Sequence, residues 1–455
     1  MAANSERPPE YIDIAKNFAE GFTMGLGEVL RNKKKDGVDD KLQKRELAKQ
    51  SRDQIKSLNL TWLDQMVNSP AQLREKVSLF WHGHFACRNL NIYNQQLLLQ
   101  QIRSNALGSF GELLTAVSKS PGMLAFLNNQ QNKKSHPNEN FAREVMELFT
   151  MGRGNYSETD VKEAARAFTG WGFNLQGEFV NRLFQHDNGV KIFLGKKGNF
   201  DGDDIIKILL EQKNTATFIA SKMYRYFVND QPDDANVQWL ADRFYQSNYN
   251  ISGLLKDVFT SSWFYDEKNI GSKIKSPIEL LVGFRRMLPV ELENKEIQLL
   301  FQRALGQVLF YPPNVAGWPG GKNWIDSSAL MLRLRLPQLV AGNDLLGISA
   351  KADDDQQMGM KEQFGKGLQG GQNDMAGLGK RFKVSAKIDW PVFQQQFINT
   401  SRPQLYNLIE TALLQAKMPD ALHAIVEKAI DQSTRENYIQ SLSLLLMSTP
   451  EYQLC

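Results

Sequence analysis

Cysteine is nearly absent: the 455 residues hold two, Cys87 and Cys455. Two thiols make no disulfide framework, and a structural zinc site needs more thiolates or a tight Cys/His group. Long apolar runs are missing too. Nothing approaches the ~18 consecutive apolar residues of a membrane-spanning helix, so no span is expected. The opening Met1 to Glu10, MAANSERPPE, has no basic segment leading into an apolar one, which by itself reads as a cytoplasmic chain. Excess charge of one sign is lacking: 54 Lys and Arg against 50 Asp and Glu leave +4, too little at this length to point to nucleic acid. Histidine is scarce, with five residues, four of them between 82 and 186.

What is present suits a large core. The chain is 42% hydrophobic, with 26 Phe and 8 Trp. Apolar residues recur at three and four from Trp62 and Met66 through Leu73, Val77, Phe80 and Trp81, which is helical spacing. Ile92–Leu127 continues it, and Asn138–Met151 places Phe141, Val145, Leu148 and Phe149 on one face. Ser157 and Asp160 form a capping-box pattern at the start of a further helix. Further helices are expected over Thr215–Val228, Val237–Tyr245, Leu254–Tyr265, Pro277–Met287, Glu293–Leu309 and Ser327–Leu336. Strand signals are few, so the expected fold is mainly α, an irregular multi-helix bundle with a hairpin or ordered loop near 173–198. The expected organisation is a charged helical segment over 1–55 and a main helical domain over 56–345. A flexible glycine-rich insertion over 351–380 and C-terminal helices over 381–455, packed on the main domain, complete it.

Four stretches carry residues suited to chemistry. In Phe80-Trp81-His82-Gly83-His84-Phe85, an extended backbone would put both imidazoles on one side, as a metal requires. On a helix they would point ~200° apart. In the second, Asn140, Arg143, Glu144 and Glu147 share a helical stripe, and the i, i+3 carboxylates can converge on a divalent cation or hold one raised pKa. The plainer reading is surface pairing of Glu139 with Arg143 and of Arg143 with Glu147. The third is Gln185-His186-Asp187 with Lys191, in the glycine-rich loop. The fourth is the rigid loop Tyr311–Trp324, where Trp318 and Trp324 offer rings for a sugar or peptide or else plug the core.

The blocks FWHGHFA, HPNENFAREVMELFTMG, YSETDVKEAARAFTGW, HDNGVKIFLG, NTATFIASKMYRYFV, KSPIELLVGFRRML and LFYPPNVAGWPGGKNWIDSSALMLR occur in this order. Together they resemble the bacterial domain of unknown function 1800 family, from about Trp62 to Arg335 and again at MSTPEYQ near the C-terminus. The resemblance implies a mostly helical bacterial protein. It also implies export, and a partner in an exported, phosphatase-like protein encoded nearby. It does not imply a settled activity.

Two functions follow as expectations. One is a structural or partner-binding scaffold with a buried His/Glu/Arg network, in which Glu144 holds a buried Arg143. The other is a metal-dependent hydrolase acting on an envelope polymer or glycan. There His82, His84 and His186 would hold a divalent metal, Arg143, Glu144, Glu147 and Asp187 would serve catalysis, and Trp318 and Trp324 would bind substrate.

Overall fold

The structure, a computed structural model, describes residues 7–15, 40–174, 176–342, 345–348 and 380–455. The glycine-rich stretch from 351 lies outside the described residues as far as 379, as do residues 16–39 of the charged segment expected over 1–55. The fold is mainly α, as the spacing predicts. The described residues form two compact units, the first reaching Phe264 and including Asn314–Trp318, the second comprising the remainder.

In the first unit the helices are α1 (Asp40–Asn68), α2 (Gln72–His84), α3 (Ile92–Asn105), α4 (Phe110–Ser118), α5 (Pro121–Phe126), α6 (Asn140–Glu144) and α7 (Glu158–Ala167). Two small antiparallel hairpins follow: β1 (Trp171–Phe173) with β2 (Phe179–Asn181), and β3 (Lys191–Phe193) with β4 (Lys196–Gly198). Then come α8 (Gly202–Leu210), α9 (Lys213–Phe227), α10 (Asp234–Gln246) and α11 (Ile251–Thr260). Short polar residues set many of the boundaries. Ser157 caps α7 in a reciprocal box with Asp160, and Asp201 caps α8 with Asp204, so the acidic run at 201–204 closes a helix start. The expected single helix over Asn138–Met151 is α only as far as Glu144; Val145–Thr150 is one widened π turn, in which the Thr150 hydroxyl donates to the Val145 carbonyl at 2.7 Å.

One apolar core runs through this unit, from Trp81, Phe85 and Phe110 to Phe141, Phe149, Phe168, Trp171 and Tyr224, all essentially without solvent contact. Val315 packs against it, and Gly317 lies at φ +82° with its backbone on that of Gly83. A Cβ at Gly317 would stand 2.5 Å from the Gly83 carbonyl oxygen, so the loop reaches α2 only because that residue is glycine.

The second unit holds α12 (Pro277–Met287), β5 (Val290–Leu292), α13 (Ile297–Leu305), α14 (Ser327–Ala341), β6 (Leu345–Ile348), β7 (Lys380–Lys383), β8 (Ala386–Ile388), α15 (Trp390–Gln395), α16 (Arg402–Leu413), α17 (Asp420–Ala429) and α18 (Arg435–Met447). β5 pairs with β8 and β6 with β7, both antiparallel. Leu281, Phe284, Phe301, Leu336, Ile409, Leu442 and Leu446 centre a separate core. No helix among the described residues is long and apolar enough to cross a membrane.

Candidate functional site

α2 stays helical through His84, so its two imidazoles leave in different directions. His82 is buried edge-to-face against Trp62, ring centroids 5.2 Å apart, and 5.6 Å from the ring of Trp318. Burial pushes its pKa down to about 3, so the ring is neutral. His84 is used at both nitrogens. Nε2 lies 3.1 Å from the Phe149 carbonyl, and Nδ1 lies 3.1 Å from the Lys222 Nζ, which also donates to the Leu148 carbonyl at 3.2 Å. Leu148 and Phe149 end the π turn, where carbonyls lack backbone donors, and a cation and an imidazole from α9 and α2 fill that need. Burial, then the lysine charge, holds His84 well below its usual range, while burial brings Lys222 down to about 8.

The acidic stripe is wired differently from the spacing. Arg143 is a third exposed and forks onto Glu158, at 2.8 and 2.7 Å, with Glu139 at 3.2 Å. The expected buried Arg143–Glu144 pair is therefore not formed, because Glu158 at the start of α7 reaches the guanidinium first. Nor does Arg143 hold Glu147. That carboxylate accepts from the Tyr156 hydroxyl at 2.6 Å and from Arg153 at 2.6 and 3.0 Å, and the tyrosine bond leads in drawing its pKa down. Glu144 accepts no hydrogen bond from a described residue. It is half-buried, and burial, then the charge of Glu147, raises its carboxyl.

The third stretch forms a brace. The Arg166 guanidinium grips Asp187 at 2.7 and 3.2 Å and Glu163 at 3.0 Å, and it reaches the Val190 carbonyl at 3.3 Å. This ion pair leads in lowering the Asp187 carboxyl. His186 is buried, its Nδ1 2.9 Å from the Thr169 carbonyl, and the Asp187 N–H donates to the Thr169 hydroxyl at 2.8 Å. Lys191 is wholly buried, its ammonium donating to the carbonyls of Asp187 at 2.6 Å and Gly189 at 3.1 Å, and burial lowers its pKa. These groups hold a turn at Leu183–Gln185 whose two apolar residues face solvent.

The candidate residues thus form separate clusters: His82 with Trp318, His84 with the π turn, Glu147 with Arg153 and Tyr156, and His186 and Asp187 with α7. Trp324 is buried and belongs to the second unit, whereas Trp318 belongs to the first. Among the described residues no three His, Cys, Asp or Glu side chains group closely enough to hold a metal ion. Two clefts of about 570 and 350 Å³ open elsewhere in the first unit, sharing Ala116 and Lys119 and lined by none of the predicted site residues. Sequence reasoning passed over Arg166, Lys222 and Tyr156. The signal was there for two of them: Lys222 is one cation in the apolar run FIASKMY, and Arg166 is one cation in the small-residue run AARA of α7.

Together these features define a mainly α protein whose motif residues are joined by internal hydrogen bonds and ion pairs. The chain belongs to the DUF1800 family of proteins of unknown function, whose sequence profile matches residues 5–454. No curated protein and no solved structure matches it.

Proposed function

We propose that the chain is a partner-binding scaffold, in which the motif residues brace a docking loop. One observation carries this reading. Arg166, Thr169 and Lys191 fix the backbone around His186 and Asp187, yet the adjacent Leu183 and Phe184 are left 71% and 72% exposed. Ordering a loop costs about 1–2 kcal/mol per residue. An arginine fork and a buried lysine holding a segment that leaves Leu183 and Phe184 in water suit a surface kept ready for a partner.

The test separates bracing from catalysis by sign. Residues held for chemistry commonly cost stability, so replacing them leaves it unchanged or raises it. Bracing residues behave oppositely. Arg166→Ala and Asp187→Ala are each expected to lower the melting temperature and to speed hydrogen exchange at 182–190. Unchanged exchange there with a raised melting temperature would overturn the reading.

Hydrolysis is the second reading, and Glu144 is what favours it: an unbonded, half-buried carboxyl beside Glu147 is suited to carrying a proton at a pH where ordinary carboxylates are ionised. In its metal-dependent form this reading requires stoichiometric divalent metal in the purified protein, which elemental analysis measures. Metal-free protein with an intact fold counts against that form.

A further inference from the structure

The loop carries more than the two apolar side chains of its turn. Val190 and Ile192 are also exposed, and the same brace holds their backbone: Arg166 donates to the Val190 carbonyl, and Glu163 accepts from the Ile192 N–H at 2.9 Å. In the β3–β4 hairpin Ile192 stands directly opposite Lys197, which places both side chains on one face. At the other end the Lys134 N–H donates to the Gln185 carbonyl at 2.8 Å, so the exposed Lys133 and Lys134 lie beside the Leu183–Phe184 turn.

The charges around this patch are unevenly satisfied. Its acids are engaged: Asp187 and Glu163 on Arg166, and Glu211 on Lys196. Lys133, Lys134 and Lys197 have no ion-pair partner among the described residues. The segment therefore offers four exposed apolar side chains, with Lys133 and Lys134 beside the Leu183–Phe184 turn and Lys197 beside Ile192, none of these lysines neutralised by an ion pair among the described residues. Protein interfaces are depleted in lysine, whereas cations beside shallowly inserting apolar residues suit a bilayer with anionic headgroups. Neither of the two clefts described above is lined by Leu183, Phe184, Val190 or Ile192.

From this juxtaposition we infer that Leu183, Phe184, Val190 and Ile192, with Lys133, Lys134 and Lys197, form a peripheral docking surface for an anionic lipid bilayer. The inference rests on the reading of this loop as a docking surface and names what it docks to. The test is sedimentation of the full chain with vesicles of phosphatidylcholine, alone or mixed with phosphatidylglycerol. The chain is expected to pellet with the mixed vesicles, to be released by salt, and to remain in solution with phosphatidylcholine alone. The double variant Leu183→Ser/Phe184→Ser, altered only at exposed positions, should melt like the parent and bind roughly tenfold or more weakly. Lys133→Ser/Lys134→Ser should lose most of the preference for phosphatidylglycerol. No pelleting with mixed vesicles, or pelleting unchanged in the Leu183/Phe184 variant, overturns the inference. So does a parent dimer in sedimentation velocity that the same variant dissociates without any vesicle binding. The exchange behaviour of Arg166→Ala is independent of lipid, so a failure here leaves the braced loop standing, and a failure there removes the loop itself.

Discussion

Two charged clusters of the first unit differ in nearly every respect. Around Glu147 the charges lie near the surface, and its partner Arg153 is 85% exposed. Around Glu75 they are sealed in the core. Arg103 donates to Glu75 at 2.6 and 3.2 Å, Trp62 donates to the same carboxylate at 2.9 Å, and the pair is 1% and 3% exposed. Glu75 lies two helical turns before His82 on α2, and Trp62 meets both, one through its N–H and the other through its ring. The first cluster stands out in the sequence and lies open to solvent on its Arg153 side. The second hardly shows there and is fully satisfied. Spacing along a helix reveals which side chains share a face, but the energetic weight of a charge depends on how completely the fold removes it from water.

The largest effect that would break this contrast is at Arg103. Arg103→Ala strands a buried carboxylate and is expected to cost about 3–5 kcal/mol, measured by denaturant unfolding. Replacing both members with apolar residues, Glu75→Leu with Arg103→Met, should cost less than the single change, because no charge is then left without its partner. A cost below about 1 kcal/mol for Arg103→Ala would mean that the cluster is wetter than its burial states.

Next in size is the acid sensitivity contributed by His82. Its folded pKa, near 3, lies below the unfolded value of about 6.5, so the folded state binds fewer protons. Stability from the neutral ring is therefore full above about pH 6.5 and is lost as the pH falls towards 3. At pH 5 the loss is on the order of 2 kcal/mol. His82→Leu should flatten that part of the pH–stability curve, as read from melts between pH 7 and 5. An unchanged slope would show that His82 is protonated within the fold.

How far the sequence discloses these things depends on the range of the interaction. The helical spacing of α2 and α12, the capping box at Ser157 and the acidic start of α8 are set by neighbours within a turn, and all are legible. The break at 173–198 is legible as glycine and weak alternation, and it becomes two hairpins. The π turn is not, because it inserts one residue into a pattern that still looks α-helical from Phe141 to Phe149. The partners of the site residues are least legible. His84 meets Lys222 across 138 positions, Glu75 meets Arg103 across 28, and Asp187 meets Arg166 across 21. No local rule ranks Glu158 above Glu144 as the partner of Arg143; the start of α7 decides it.

The smallest expected effect tests the surface side of the contrast, and its sign is the informative part. Glu144 has its carboxyl raised by burial and by Glu147, with no hydrogen bond to offset either. The folded state therefore binds more protons than the unfolded chain over the interval between the two pKa values. The cost of ionising Glu144 sets in as pH rises through that interval and is complete above it. Glu144→Gln removes the charge and keeps the shape, so the variant should melt slightly higher than the parent at pH 7 and no higher at pH 4. Solvent screening of a half-exposed group keeps the gain well short of what a buried charge would give. A loss of stability at pH 7 would mean instead that the ionised carboxylate is bound within the fold, and the two clusters would then differ in degree of burial alone.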